Sequence, residues 1–243
     1  MSPYHPKLFE QVTNLAIKGL TAALCRVEAG QLAHVPAQGP LIIVTNHVNF
    51  LEIPVIYTRL TPRPMTAFAK IETWDSAFLG WLFDLWEIIP IHRGEPDTTA
   101  VKRGLQALKD GYILTIAPEG TRSNDGHLLR GQPGVVMMAL LSGAPLLPLV
   151  HYGHENYQQN FRRFRRSDFH TVVGYPFRLE KSNQKVTKVI RQKMVDEIMY
   201  QLAALLPPGY RGEYADLSKA TEQYLRFIPP ARSNLPNDPA PLR

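Results

Sequence analysis

Residues 41–54, LIIVTNHVNFLEIP, decide how this chain is read. Leu41-Ile42-Ile43-Val44 is a run of large apolar side chains that predicts a buried strand. It breaks at Thr45-Asn46-His47, and Glu52 follows five residues after the histidine. If the chain turns helical after His47, imidazole and carboxylate fall within reach of each other. A histidine at the C-terminal end of a strand, beside an acid, is the layout of a general base and its orienting partner. Sites in open α/β sheets lie at that edge.

Outward from this stretch the pattern repeats. A short helix is expected to about Leu60, stopped by Thr61-Pro62-Arg63-Pro64. Residues 65–69 read as a second strand ending at Lys70. All three tryptophans then fall between Trp74 and Trp86, in a segment that reads either as core or as a lining for an acyl chain. Residues 88–91 form a short extended segment before His92-Arg93. Asp97 is a good N-cap for a helix that Gly111 closes. Residues 112–117 read as a buried strand ending in Pro118-Glu119-Gly120-Thr121-Arg122-Ser123. A helix over 135–141, strands over 146–150 and 169–175, and a long helix over 184–206 follow. Alternating strands and helices predict an α/β domain with a mostly parallel or mixed central sheet flanked by helices.

On the N-terminal side, apolar residues at Leu8, Val12, Leu15, Ala16, Leu20, Ala23, Leu24 and Val27 predict an amphipathic helix over 8–27. Such a helix packs on the domain, lies in a membrane interface, or does both. The expected organisation is an amphipathic segment over 1–35, an α/β domain over 36–228 and a disordered proline-rich tail over 229–243.

The chain has 243 residues, a formal net charge of +6 and one cysteine, Cys25. A lone cysteine makes no internal disulfide and fits a reducing compartment. The basic balance points to an anionic partner. The run Phe161-Arg162-Arg163-Phe164-Arg165-Arg166 reads as a solvated loop, an anionic-headgroup site or an RNA contact, and the headgroup reading is preferred. No apolar run reaches the roughly 20 residues that span a bilayer. No secretory signal peptide is visible. No metal is expected, because His151 and His154 stand without further ligands at useful spacing.

Three polar clusters thus follow three strands: Asn46-His47 with Glu52, His92-Arg93, and Glu119 to Arg122. Together with the proline-bearing strand Ala144-Pro145-Leu146-Leu147-Pro148, and with Arg130-Gly131 ahead of it, they resemble the ordered blocks of the glycerolipid acyltransferases, the lysophospholipid and 1-acylglycerol-3-phosphate acyltransferase family. Pro118 to Ser123 matches the third block letter for letter, and the resemblance covers roughly residues 30–180. It implies transfer of a fatty acyl group from acyl-CoA or acyl-carrier protein, as co-substrate, to the hydroxyl of a lysophospholipid or glycerol-phosphate acceptor. His47 would be the base and Glu52 its partner. Arg93 and Arg122 would bind the acceptor phosphate, with Asn46, Lys70, Glu119, Gly120, Thr121 and Arg130 also at the substrate. It implies no cofactor, no nucleic acid, and a peripheral place on the cytoplasmic face of a membrane bearing anionic lipid. A non-catalytic lipid-binding protein of the same fold is the alternative. Two positions depart from the family pattern: Glu52 stands where Asp is usual, and Asn49 where a small hydroxyl residue is usual.

Overall fold

A computed structural model describes residues 8–92, 97–181 and 185–236. In chain order they form α1 (Leu8–Leu24), β1 (Cys25–Glu28), β2 (Leu41–Thr45), α2 (Glu52–Leu60), β3 (Met65–Lys70), α3 (Ala77–Leu85), β4 (Ile89–Ile91), α4 (Thr98–Lys109), β5 (Ile113–Ile116), α5 (Gly134–Ser142), β6 (Leu146–Tyr152), α6 (Tyr157–Arg162), β7 (Ser167–Val173), β8 (Phe177–Leu179), α7 (Lys188–Leu205) and β9 (Leu225–Phe227).

Every residue of β2 is buried. Side chains alternate across a strand, so an all-apolar strand needs cover on both faces. Leu41 and Ile43 pack with Ile56, Tyr57, Leu82, Phe83 and Trp86 beneath α2 and α3. Ile42 and Val44 pack with Leu108, Val135, Val136, Met194 and Ile198 beneath α4, α5 and α7. Each such side chain contributes about 1.5–3 kcal/mol on burial.

The sheet runs β1-β7-β6-β2-β5-β3-β4, with β8 on β6 and β9 on β8. The five strands from β6 to β4 are parallel, while β7 and β8 run antiparallel to β6. This is the expected mixed α/β sheet with an N-terminal helix. β2 lies between β5 and β6, and the chain leaves it to build outward on either side. Its C-terminal end is the crevice where such sheets carry their sites.

Three expectations are corrected at the ends of the chain. α1 stops at Leu24, and residues 25–28 become β1, in parallel register with β7 from Cys25 opposite Ser167. Residue 35 is therefore no boundary between helix and domain. α1 also docks by its polar side. Asn14 and Thr21 are buried, Asn14 Oδ1 accepting from Trp86 Nε1 (2.9 Å) and Thr21 Oγ1 from Arg59 Nη1 (3.2 Å). Leu8, Phe9, Val12, Leu15 and Leu20 face outward, Leu15 with 72% of its surface exposed.

The long helix begins at Lys188, where Thr187 caps Ile190 N, and residues 185–187 are not helical. Gln184 lies outside the described residues. Residues 233 and 234 are tied to the domain by hydrogen bonds to Glu222 and Gln201. Asn234 bonds the amide of Gln201, and Glu197, buried on the same helix, accepts from Thr221 Oγ1 (2.6 Å), Gln223 N (2.8 Å) and Tyr224 N (2.9 Å). Buried polar side chains on α7 replace the apolar periodicity that would have announced this segment. Residues 237–243 lie outside the description.

The turn at Gly212 (φ +47°) ties this C-terminal segment to residues 128–129, which in turn reach the site. Glu213 N donates to Leu128 O at 3.0 Å, and a Cβ at Gly212 would lie 2.1 Å from that same oxygen. Main chain cannot yield that far. Gly212→Ala should therefore cost about 2–4 kcal/mol. Thermal unfolding should show it as a fall of roughly 5–15 °C; an unchanged midpoint would contradict the packing described.

Candidate active site

The turn after β2 is folded around the Glu52 carboxylate. Glu52 opens α2 and is buried, yet Oε2 lies 2.7 Å from His47 Nδ1 and Oε1 accepts from Val48 N at 2.7 Å and from Asn49 N. Asn49 Oδ1 accepts from Leu51 N (2.9 Å), closing the turn. The turn accommodates the extra methylene of a glutamate: the carboxylate meets the imidazole at full hydrogen-bond contact. Burial alone would raise the Glu52 pKa, but the bonds from His154 and His47 hold it well below the usual carboxylate range. Burial pushes His151 itself down to about 3, so at neutral pH that ring is uncharged. The hydrogen bonds from His47, Val48, Asn49 and His154 are what keep Glu52 ionised. An ionised Glu52 only accepts, so His47 carries its proton on Nδ1 and leaves the Nε2 lone pair free to accept.

Asn46 and Glu119 were expected at the substrate, and the structure places their polar groups on main chain instead. Asn46 donates to His151 O (2.8 Å) and accepts from His151 N (3.0 Å), stitching the end of β2 to β6. Glu119 is buried; Oε1 accepts from His47 N and Oε2 from Leu129 N, each at 2.8 Å. Both are positioning groups. The loop after β5 runs beside His47, since Ser123 N donates to His47 O (2.8 Å) and Asn124 N to Val48 O (3.1 Å).

His47 opens on a cavity of about 570 Å³. Its wall is largely apolar, including Ile53, Ile56, Met65, Phe68, Val101 and Met138, with Gly120 and His92 also on it. Gly120 holds φ +69°, which a Cβ disfavours. Thr121 and Arg122 are exposed on the loop beside His47, and Arg122 makes no ion pair among the described residues. Arg93 lies outside the described residues; its neighbours Ile91 and His92 line the cavity. Two expected residues are placed elsewhere. Lys70 is an exposed strand end that does not line the cavity. Arg130 lines a separate cavity of about 450 Å³ with Lys193, Asp196 and Tyr214. No tryptophan lines the cavity beside His47. Trp86 is core, stacked on Tyr57 at 4.5 Å, and Trp81 is on the surface.

His151 and His154 are corrected from isolated residues to members of the site. Ligating atoms of Glu52, His151 and His154 all lie within 4.8 Å of one another, close enough to hold a metal ion. Glu52 Oε1 already accepts two main-chain N–H bonds and Oε2 the His47 bond, so the set is built as a hydrogen-bonded cluster. The sequence signal was a His-x2-His following a strand, legible only once that strand is known to neighbour β2.

Burial pushes the Glu119 carboxyl up to about 7, against the two N–H bonds that favour its charge, and the nearby Glu52 charge adds to the rise. A folded value above the unfolded one of 4.5 stabilises fully below pH 4.5, and that stability is lost as pH rises toward 7. The swing is on the order of 3 kcal/mol. Urea unfolding between pH 4.5 and 7.5 should show wild type losing that much relative to Glu119→Gln; parallel curves would remove Glu119 as the titrating group.

With this geometry in place, the comparisons with known proteins are consistent. A family profile described as Acyltransferase matches residues 26–152, more than half of the chain. The chain is 23% identical over 161 residues to the 1-acyl-sn-glycerol-3-phosphate acyltransferase of Bacillus subtilis (strain 168), spanning 66% of this chain and 78% of that protein. It is 24% identical over 196 residues to the Pseudomonas aeruginosa 1-acyl-sn-glycerol-3-phosphate acyltransferase, spanning 79% and 75%. The chloroplastic enzyme BAT2 of Brassica napus is 31% identical over 117 residues, 47% of this chain and 33% of that one. The crystal structure of the 1-acyl-sn-glycerophosphate (LPA) acyltransferase PlsC from Thermotoga maritima shares the fold, with a TM-score of 0.55 and 19% identity over 78% of each chain. The chain belongs to the Acyltransferase family.

Proposed function

We propose that this chain moves a fatty acyl group from a thioester, acyl-CoA or acyl-carrier protein, to the hydroxyl of a lysophospholipid or glycerol-phosphate acceptor at a membrane surface. The observation that carries the reading is the 2.7 Å His47–Glu52 contact on the wall of an apolar cavity of about 570 Å³. His47 Nε2 takes the proton of the acceptor hydroxyl as its oxygen attacks the thioester carbonyl. Glu52 fixes the tautomer and stabilises the imidazolium. The tetrahedral intermediate then expels the thiolate, which recovers the proton from His47, so a C–O bond replaces a C–S bond and free thiol leaves. Arg122, beside His47 and outside any ion pair among the described residues, suits the acceptor phosphate, with Arg93 joining it. The apolar wall suits the acyl chain.

Thiol release from a labelled acyl donor should fall about a thousandfold in His47→Ala. Donor binding should persist, because the apolar wall is untouched. Full turnover by that variant would end the reading; binding without turnover in the wild type would favour a lipid-binding protein.

The surface supports a peripheral membrane contact. No helix of the described residues is long and apolar enough to cross a membrane. The outward side of α1 joins Phe78 and Trp81 of α3 through an edge contact between Phe9 and Trp81 (5.9 Å). Arg166 donates to Ala22 O and Cys25 O, which places the loop carrying the exposed Phe161, Phe164 and their arginines at the C-terminal end of α1. Apolar and basic groups together suit an anionic bilayer interface. Leu15→Glu combined with Trp81→Glu should cut flotation with anionic vesicles at least tenfold at unchanged thermal stability. Equal flotation by the variant, or binding to RNA and not to vesicles, would refute the membrane contact.

A further inference from the structure

The two positions that depart from the family pattern meet on one buried residue. Glu52 Oε1 lies 3.5 Å from His154 Nε2, at the long end of a hydrogen bond, and Asn49 Nδ2 donates to His154 O at 3.1 Å. His154 is fully buried, its ring packed on Phe169 at 4.3 Å and edge-on to His151 at 5.3 Å. Its Nδ1 has no hydrogen-bond partner among the described residues. A proton on Nδ1 would leave a buried donor orphaned and turn the Nε2 lone pair against the carboxylate. A proton on Nε2 satisfies both groups.

We infer that His154 is a third, positioning member of the His47–Glu52 pair, pinning the longer glutamate side chain against His47, and that Asn49 holds His154 in place for this. The inference rests on the reading of His47 as the base. An aspartate carboxylate at position 52 would sit about one methylene short of His154, and the small hydroxyl residue usual at 49 would fall short of its carbonyl. The three residues therefore work as one coupled set, in which a change at one is answered by the others. His154 reaches the substrate through Glu52 and His47 and does not touch it.

The sign of its effect on His47 follows. A donor on Oε1 keeps the carboxylate turned so that Oε2 meets His47 Nδ1–H. Without His154 the carboxylate is free to turn away, and its hold on the imidazolium weakens. Other titratable groups around His47 are Glu119 at its main-chain N–H, His92 across the cavity, and His151 behind Glu52. Of these, His151 packs edge-on to the 154 ring at 5.3 Å.

His154→Ala should lower kcat for thiol release about tenfold, with little change in KM. The acid limb of the kcat/KM profile should move down by about half a pH unit. His154→Gln, which keeps an N–H donor, should recover most of both. In the Glu52→Asp background His154→Ala should cost little more, because the carboxylate no longer reaches it; a merely structural role would cost the same in both backgrounds. ¹⁵N-histidine NMR of the free protein reads the same shift at His47 without turnover. It keeps the test apart from the acyltransferase reading: an inactive wild type with a shifted His47 would sink only that reading. An active wild type in which folded His154→Ala or His154→Gln keeps the wild-type pH profile and His47 titration would overturn the role of His154.

Discussion

A single ionised carboxylate, buried in the turn after the central strand, dictates the local structure around it. Removing an ion from water costs several kcal/mol unless donors replace the solvent. Glu52 meets that demand with two main-chain N–H groups, His47 and His154. Those donors can converge only if the chain turns sharply between residues 46 and 51 and α2 starts at residue 52 itself. Asn46 and Asn49 lock the turn to β6 from the other side. The imidazole orientation that the proposed reaction needs is thus the conformation that lets the charge stay buried, so the requirement for folding and the requirement for chemistry coincide.

His47 is gripped by two carboxylates whose pKa values are driven in opposite directions. Glu52 holds the ring and stays charged; Glu119 holds the main-chain N–H and is pushed up to about 7. Both are buried and both accept N–H bonds. They differ in their neighbours: histidines surround Glu52, while Glu119 faces the charge that Glu52 already carries. One site with two nearby buried acids holds one of them readily ionised, and the field of the first raises the second. Fixing His47 from both ends leaves its Nε2 aimed at the cavity with little freedom to swing.

Legibility in the sequence followed contact range. β2, β5 and the flanking helices were readable because apolar runs and turn residues are local signals. The His47–Glu52 pair was readable because five residues separate its members. The pairings of Asn46 with His151, Glu119 with His47 and Glu52 with His154 were not, since they span 72 to 105 residues and depend on β6 and the 118–124 loop flanking β2. Substrate-facing roles were assigned to Asn46 and Glu119 by type and position, and their main-chain partners became visible only with strand order known. Arg130 sits close in sequence to the third cluster yet points into another cavity, because residues 128–131 are drawn away by Tyr210 and Tyr214. The segment after residue 207 escaped because buried polar groups of α7, not an apolar pattern, hold it.

The N-terminal helix shows why periodicity alone does not say which side faces in. Its stripe of leucines and valines is real, but the surface that receives the helix asks for hydrogen bonds. Trp86 Nε1 is buried beneath it and needs an acceptor, which Asn14 supplies, and Arg59 finds Thr21. Docking through directional bonds fixes the helix and leaves the apolar stripe outward, where a helix docked on its leucines would show only polar groups. Trp81 joins that stripe, and Phe83, two residues on in the same helix α3, stacks against Phe50 beside Glu52 with ring centroids 6.4 Å apart. One helix therefore separates the outward apolar surface from the turn that carries His47.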